Sequence, residues 1–477
     1  MRMLVKPVVK KFKYHIITPV DVYRAVKEQT QAKFSYLLES CEGDEKVARY
    51  SFIGYKPIGR ISINHSEVSV NGNLFGEKNV QGKDPIEIMK NSIGSMLVVN
   101  AKESPRFLGG AVGYFSYDLI RYWLPYFEEK NTELKTPDAE FVFTKDNIAF
   151  DHKTKEIEIV SCAFGRDEKE LNDDINAADN RVEEIEEVIL SAEHKDTVFK
   201  EPKQVDSNSN TSKDEFEKMV EKSKEYIRAG DIFQVVISKR IETDASDPYE
   251  AYVALKTLNP SPYLYYLEFG NLMIAGSSPE MLVRVEGKRV ITRPIAGTIR
   301  RGRTEREDRL FAEEMLNDPK ERAEHIMLVD LHRNDIGKVC KFGTVKASEL
   351  MTIERFSHVQ HIVSTVEGVL NEKSDAYDAL RGTFPAGTVS GAPKVRAMEI
   401  INELEKERRG PYAGAVGYFG LDGNMDFAIT IRTLIQQGNN AYVQAGSGIV
   451  ADSVPENEWN ESENKAKALM KALTMVN

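Results

Sequence analysis

The sequence predicts an α+β fold built on large, mostly antiparallel sheets with helices around them. Short β-rich segments separated by turn residues fill most of the N-terminal third, and strands and amphipathic helices mix in the C-terminal part. Nowhere do strand and helix alternate regularly, as a parallel sheet would require. At 477 residues the chain is too long for one simple core and suggests several domains or one composite body.

Taken in order, residues 49–53, 59–63 and 67–70 alternate apolar and polar positions, and Asn71-Gly72-Asn73 reads as a hairpin turn. Residues 85–97 read as a helix and 109–117 as a strand. Residues 167–194 are acidic and helix-prone, and 195–210 are polar, ending in Asp-Ser-Asn-Ser-Asn. This pattern divides the chain into an N-terminal region, 1–165, an acidic and polar linker, 166–212, and a core, 213–477. Ser212 and Glu215 form a capping box for a helix with Phe216, Met219, Val220, Tyr226 and Ile227 on one face, stopped at Gly230.

Strands are expected at 232–238, 263–269, 272–275, 281–285, 290–294 and 360–369, with helices from 305 to 317 and from Asp318 onward. Phe384 to Pro393 is a tight loop feeding a helix, with backbone N–H groups available to an anion. Strands at 413–419, 427–434 and 441–444 and a helix from Pro455 complete the chain. The hexapeptide Gly110-Ala-Val-Gly-Tyr-Phe115 recurs as 414–419, which suggests similar strands in two halves.

A net charge of -11 argues against general nucleic-acid binding, and 41% hydrophobic with 29% charged residues is ordinary for a globular protein. Cys41, Cys162 and Cys340 lie far apart, so neither a disulfide framework nor a zinc cluster is signalled, and a reducing cytoplasm is expected. Lysines break up the apolar residues of the N-terminal stretch, and no later run suits a membrane span.

Several motifs fail on chemistry. Gly387 to Lys394 lacks the Gly-Lys-Ser/Thr of a phosphate loop. Residues 445–451 match a loose dinucleotide fingerprint, but no helix opens on them. His358 and His361 sit three apart on an expected strand and so face opposite ways. Carboxylates are the better candidates: Glu458 and Glu461 share a helix face, and Glu324 lies on an earlier helix. Each alone reads first as solvated helix charge; two facing one cleft could hold Mg²⁺ against a substrate carboxylate. Arg432 suits a carboxylate through its planar fork, or a structural ion pair, and Gly297-Thr298 and Gly446-Ser447-Gly448 read as glycine-rich turns.

Residues 293–298 (Arg-Pro-Ile-Ala-Gly-Thr), 324–335, 384–394, 409–419 and 444–452 together resemble the chorismate-utilising enzymes, and within them the large subunits of anthranilate synthases. The resemblance implies a large composite chorismate-binding fold and the conversion of chorismate and ammonia to anthranilate and pyruvate. It implies Mg²⁺ on Glu324 and Glu461, chorismate contacts at Gly297, Thr298, Tyr412, Arg432, Gly446, Ser447 and Gly448, and catalytic groups at Glu280, His361 and Thr388. Glu280 is the expected acid for the departing hydroxyl. Gln234 and Ala296 replace lysines of the isochorismate-forming and aminodeoxychorismate-forming relatives, which leaves ammonia as nucleophile. The aminodeoxychorismate-forming subunit remains an alternative, as does a catalytically silent tryptophan-sensing subunit.

Leu37 to Ser40 and Asn259 to Tyr266 resemble the family's feedback motif, implying tryptophan at Glu39, Ser40, Pro262, Tyr263 and Leu264. No cysteine lies in a nucleophile elbow, so glutamine-dependent synthesis requires a separate glutamine amidotransferase subunit in a hetero-oligomer.

Overall fold

The computed structural model describes residues 2–476 except 41–48, 66, 77–83, 100–103, 126, 128–129, 131, 198, 203–204 and 357–358. Cys41 and His358 therefore lie outside the described residues. The N-terminal stretch contains β1 (Met3–Lys13), α1 (Pro19–Thr30), β2 (Phe34–Glu39), β3 (Tyr50–Tyr55), β4 (Gly59–Asn64), β5 (Glu67–Gly72), α2 (Pro85–Ile93), β6 (Met96–Val98), β7 (Gly110–Phe115), β8 (Ala139–Thr144), β9 (Asp146–Asp151), β10 (Glu156–Gly165) and α3 (Glu168–Leu190). Then come β11 (Ser207–Ser209), α4 (Lys213–Ala229), β12 (Gln234–Asp244), α5 (Pro248–Leu258), β13 (Tyr263–Phe269), β14 (Leu272–Ser278), β15 (Met281–Glu286), β16 (Arg289–Thr292) and β17 (Ile295–Arg300). The chain ends with α6 (Glu305–Asn317), α7 (Pro319–Gly337), β18 (Lys346–Arg355), β19 (Val359–Val369), α8 (Ala376–Thr383), β20 (Gly391–Ala392), α9 (Lys394–Leu404), β21 (Ala415–Gly420), β22 (Met425–Ile429), β23 (Thr433–Gln437), β24 (Asn440–Ile449) and α10 (Pro455–Thr474).

Many helices start where side-chain caps are available: Asp318 caps α7 through the Lys320 and Glu321 N–H groups, and the Ser212–Glu215 box starts α4. Two expectations change. Asn71 and Gly72 end β5 instead of turning a hairpin, because Gly72 pairs with Gly59 and the β4–β5 reversal follows Asn64. Gly297 and Thr298, read as a turn, lie on β17 at a bulge against β19, where Gly297 takes φ +65°.

The expected α+β class is realised as two mostly antiparallel sheets. One runs β11-β12-β24-β23-β14-β13-β2-β3-β9-β10-β1-β6 and the other β17-β19-β16-β15-β22-β21-β7-β8-β4-β5, with β20 and β18 attached to β12 and β19. Between them lies an aromatic core that includes Tyr36, Phe52, Phe107, Tyr114, Tyr265 and Tyr418. Helices α1, α3, α5 and α10 close the outer face of the first sheet, and α2, α8 and α9 pack on the second core. Each sheet draws strands from both sides of residues 166–212; β2 pairs with β13 and β7 with β21.

The repeated hexapeptide marks a pseudo-dyad. β7 and β21 pair antiparallel with Gly113 opposite Gly417, Val112 opposite Tyr418 and Tyr114 opposite Val416, so each copy meets its own image. In the first sheet the axis passes near the Leu37–Tyr266 pair. Tyr23, Lys27, Tyr36 and Glu39 recur at one constant spacing as Tyr252, Lys256, Tyr265 and Glu268. The Tyr36 ring lies over Gly54 with its hydroxyl 3.0 Å from Thr144, and the Tyr265 ring lies over Gly276 with its hydroxyl 2.6 Å from Thr433. The contacts also cross between halves: Lys256 holds Glu39 at 2.7 Å, and Lys27 holds Glu268.

Candidate active site

A cleft of about 510 Å³ opens where β12 and β24 of one sheet approach β17 and β19 of the other, between α7 and α10. Strand parity and helix spacing place its groups. Gly446 and Gly448 alternate along β24 and face the cleft; Ser447 between them is fully buried and off the wall. On α7, Glu321 and Glu324 are one turn apart, and on α10 Glu458, Glu461 and Lys465 share a face.

Glu280 sits in the turn between β14 and β15, 6% exposed. Burial pushes its carboxyl up to about 8, opposed by the Thr388 hydroxyl, which donates to Oε1 at 2.9 Å. The group is therefore mostly protonated at neutral pH. His361 on β19 is held below its usual range by burial. Its Nδ1 lies 2.9 Å from the Gly297 carbonyl, which can only accept, so Nδ1 carries the proton and Nε2 is left with its lone pair. Thr298 Oγ1 stands 3.0 Å from the same Nδ1.

Glu324 is raised by burial and then by Glu321 and Glu461, which shows that these like charges converge. Glu461 pairs with Lys465 at 2.6 Å, and the same ammonium donates to the Gly446 carbonyl at 3.0 Å. Among the described residues no set of three or more acidic, histidine or cysteine side chains encloses a cation. The donors are all carboxylate oxygens, which fits Mg²⁺ held by a pair of glutamates, with substrate and water completing its shell.

Arg432 is half-buried beside Tyr412 with φ +52°, and Ala413 next to Tyr412 has φ +62°; both are left-handed conformations costly for non-glycine residues. The 384–393 loop brings Thr388 to Glu280, and Lys394 behind it donates to Asp335 at 2.8 Å and to the Thr383 carbonyl at 3.2 Å. Lys394 thus ties the loop to α7 and faces no ligand.

The structure brings Glu280, Gly297, Thr298, Glu324, His361, Thr388, Tyr412, Arg432, Gly446, Gly448 and Glu461 to one cleft, with Gln234 and Ala296 beside them. Sequence reasoning missed Lys320, Glu321, Gln444 and Lys465. Their only signal was spacing: Glu321 one turn before Glu324, and Lys465 one turn after Glu461.

The residues expected to hold tryptophan lie elsewhere. A second cavity between the sheets includes Leu38, Ser40, Tyr263, Tyr265, Tyr418 and Asp426 in its lining. The carboxylate of Glu39 points to the opposite face of β2, accepting from Tyr252 Oη at 2.5 Å and Lys256 Nζ at 2.7 Å. Pro262 is buried next to Tyr263 and is not on the cavity wall. By the pseudo-dyad, Ser40 and Tyr263 correspond to Phe269 and Phe34, which pack into the aromatic core on the other side.

A sequence profile of the chorismate binding enzyme family matches residues 33–471. The anthranilate synthase component 1 of Aquifex aeolicus is 48% identical over 467 residues, covering 96% of this chain and 92% of its own. That of Thermus thermophilus is 42% identical over 473 residues, covering 99% and 98%. Among solved structures, anthranilate synthase component I from Streptococcus pneumoniae superposes with a TM-score of 0.79 at 36% identity, covering 95% of this chain and 98% of that one. The menaquinone-specific isochorismate synthase from Escherichia coli, at 18% identity and a TM-score of 0.71 over 98% and 94% of the two chains, shares the fold. No described helix is long and apolar enough to cross a membrane.

Proposed function

Because the chain belongs to the chorismate binding enzyme family, we propose that it is the synthase component that converts chorismate and ammonia to anthranilate and pyruvate. The observation that carries the reading is Glu280: a buried carboxyl held by the Thr388 hydroxyl at 2.9 Å in the same cleft as Glu324 and Glu461, where burial pushes it up to about 8.

Mg²⁺ on Glu324 and Glu461 would supply a Lewis acid for the ring carboxylate. The other roles belong to the protein. Arg432 and the Gly446 and Gly448 backbone orient the carboxylates, and Tyr412 sits beside them. Hydroxide leaves poorly, so Glu280 donates its proton to the departing 4-hydroxyl as ammonia adds at the ring carbon beside the carboxylate-bearing one. Neutral His361 presents Nε2 to the hydroxyl or enolpyruvyl side. Loss of pyruvate and of the ring proton then gives 2-aminobenzoate. Gln234 carries no basic group to activate water, and Ala296 no nucleophile, which supports ammonia as the attacking species.

Ammonia from glutamine would come from a separate amidotransferase component, which the relatives' designation as component 1 supports. Tryptophan would inhibit from the cavity at Ser40 and Tyr263, with Glu39 and Leu264 also in its wall and Pro262 buried next to Tyr263. Its arrival would bias the way the halves sit on one another.

The test is the purified chain with chorismate, Mg²⁺ and ammonium salt, following anthranilate fluorescence and pyruvate release. Both products together support the reading. An aminated product without pyruvate indicates the aminodeoxychorismate-forming activity, and no product indicates a silent sensor.

A further inference from the structure

We infer that Arg409, which does not line the cleft, is a positioning residue for the reaction, an inference that rests on the function proposed above. Its side chain is 1% exposed, and its fork reaches several elements at once. Nε and Nη2 donate to Glu405 at 2.8 and 2.6 Å, Nη1 to the Val389 carbonyl at 2.8 Å and Nη2 to the Val236 carbonyl at 2.7 Å. Val389 follows Thr388 on the active-site loop, and Val236 is a cleft residue of β12. The guanidinium also lies 5.6 Å from the centre of the Tyr412 ring and 4.6 Å from that of Tyr117.

Glu405 extends the network. Its Oε1 accepts from the Ser238 N–H at 2.8 Å and the Ser238 hydroxyl at 2.9 Å, and Gln444 of the cleft wall donates to that hydroxyl at 2.9 Å. One buried ion pair therefore joins β12, β24, the Thr388 loop and Tyr412, which are walls of the cleft far apart in sequence. A buried ion pair gives little net stability over well-packed apolar groups, but a planar fork spent on separate carbonyls fixes their spacing. Thr388 must meet Glu280 within hydrogen-bond range, so a shift of Val389 of about 1 Å reaches the proton donor directly.

The test is Arg409→Lys, which keeps the charge and loses the fork. Arg181→Lys serves as control, because Arg181 likewise spans a carboxylate, Asp146 at 3.0 Å, and a carbonyl, Cys162 at 2.9 Å, on α3 away from the cleft. For each variant the folded fraction, kcat, KM and the calorimetric Kd for chorismate are measured. Both should lose thermal stability; only Arg409→Lys should lose about tenfold or more in kcat/KM per folded molecule and weaken chorismate binding. A merely structural role lowers Tm and leaves kcat, KM and Kd of the folded molecules unchanged. If Arg409→Lys yields no folded protein, Glu405→Gln is judged by the same criterion. Values within twofold of the unsubstituted chain, or an equal loss in Arg181→Lys, overturn the inference. Absence of anthranilate from the unsubstituted chain would sink the proposed function, while the Kd series still decides on Arg409.

Discussion

Replacing Glu280 by Gln tests the acid directly, because the substitution keeps the shape and the bond to Thr388 and removes the transferable proton. With the carboxyl titrating at about 8 in the fold, roughly nine-tenths is protonated at pH 7 and one-tenth at pH 9. The rate of the unsubstituted enzyme should therefore fall nearly tenfold between those values. Glu280→Gln should run about 10²- to 10⁴-fold slower and lose that alkaline limb. Stability should move the other way. The folded carboxyl holds its proton from its unfolded value of 4.5 up to about 8, so the stability it confers below pH 4.5 is lost as the pH rises through that window. At pH 7 the loss is about 3 kcal/mol, from about 1.4 kcal/mol per pH step. Glu280→Gln escapes it and should be more stable than the unsubstituted chain at pH 7, with the difference vanishing near pH 4. Stopped assays from pH 6 to 9.5 and urea unfolding at pH 4 and 7 read both quantities. A variant within threefold of the normal rate, or one that keeps the alkaline limb, refutes the acid role.

Glu324→Gln should weaken Mg²⁺ binding at least tenfold by titration calorimetry, since it removes one of two anionic donors. Ser40→Phe places a ring where the pseudo-dyad already has Phe269, and should raise the tryptophan concentration for half-inhibition at least tenfold. Lys256→Met leaves the 3% exposed Glu39 without its ammonium and should cost about 2 kcal/mol in urea unfolding, with Lys27→Met costing a similar amount through Glu268.

Local chemistry made most elements legible: the Asp318 cap, the Ser212 box and the aromatic, β-prone run of 263–269 all lie in short windows. β1 escaped because its lysines read as a polar terminus, although its pairing with β10 makes it a strand. The Gly297 bulge looked like a turn because glycine with a hydroxyl neighbour signals both. Parity along strands was the harder lesson. Glu39 belongs to the right motif, yet its carboxylate leaves on the face away from the expected ligand, and only the ladder partners fix which face that is. The hexapeptide repeat was visible, but that the two copies lie side by side depends on pairing across some three hundred residues, which no local window carries.

The crossed lysine clamps bear on how the chain is made. Glu39 leaves the ribosome 217 residues before Lys256, about 10 to 40 s at ordinary elongation rates. Throughout that interval β2 has no β13 beside it, and its free edge could recruit another nascent chain. A carboxylate awaiting its ammonium keeps the strand hydrated, as inward-pointing charges do on exposed edges. The glutamate would thus guard against aggregation during synthesis, and it becomes part of the packed interior only once the second half arrives.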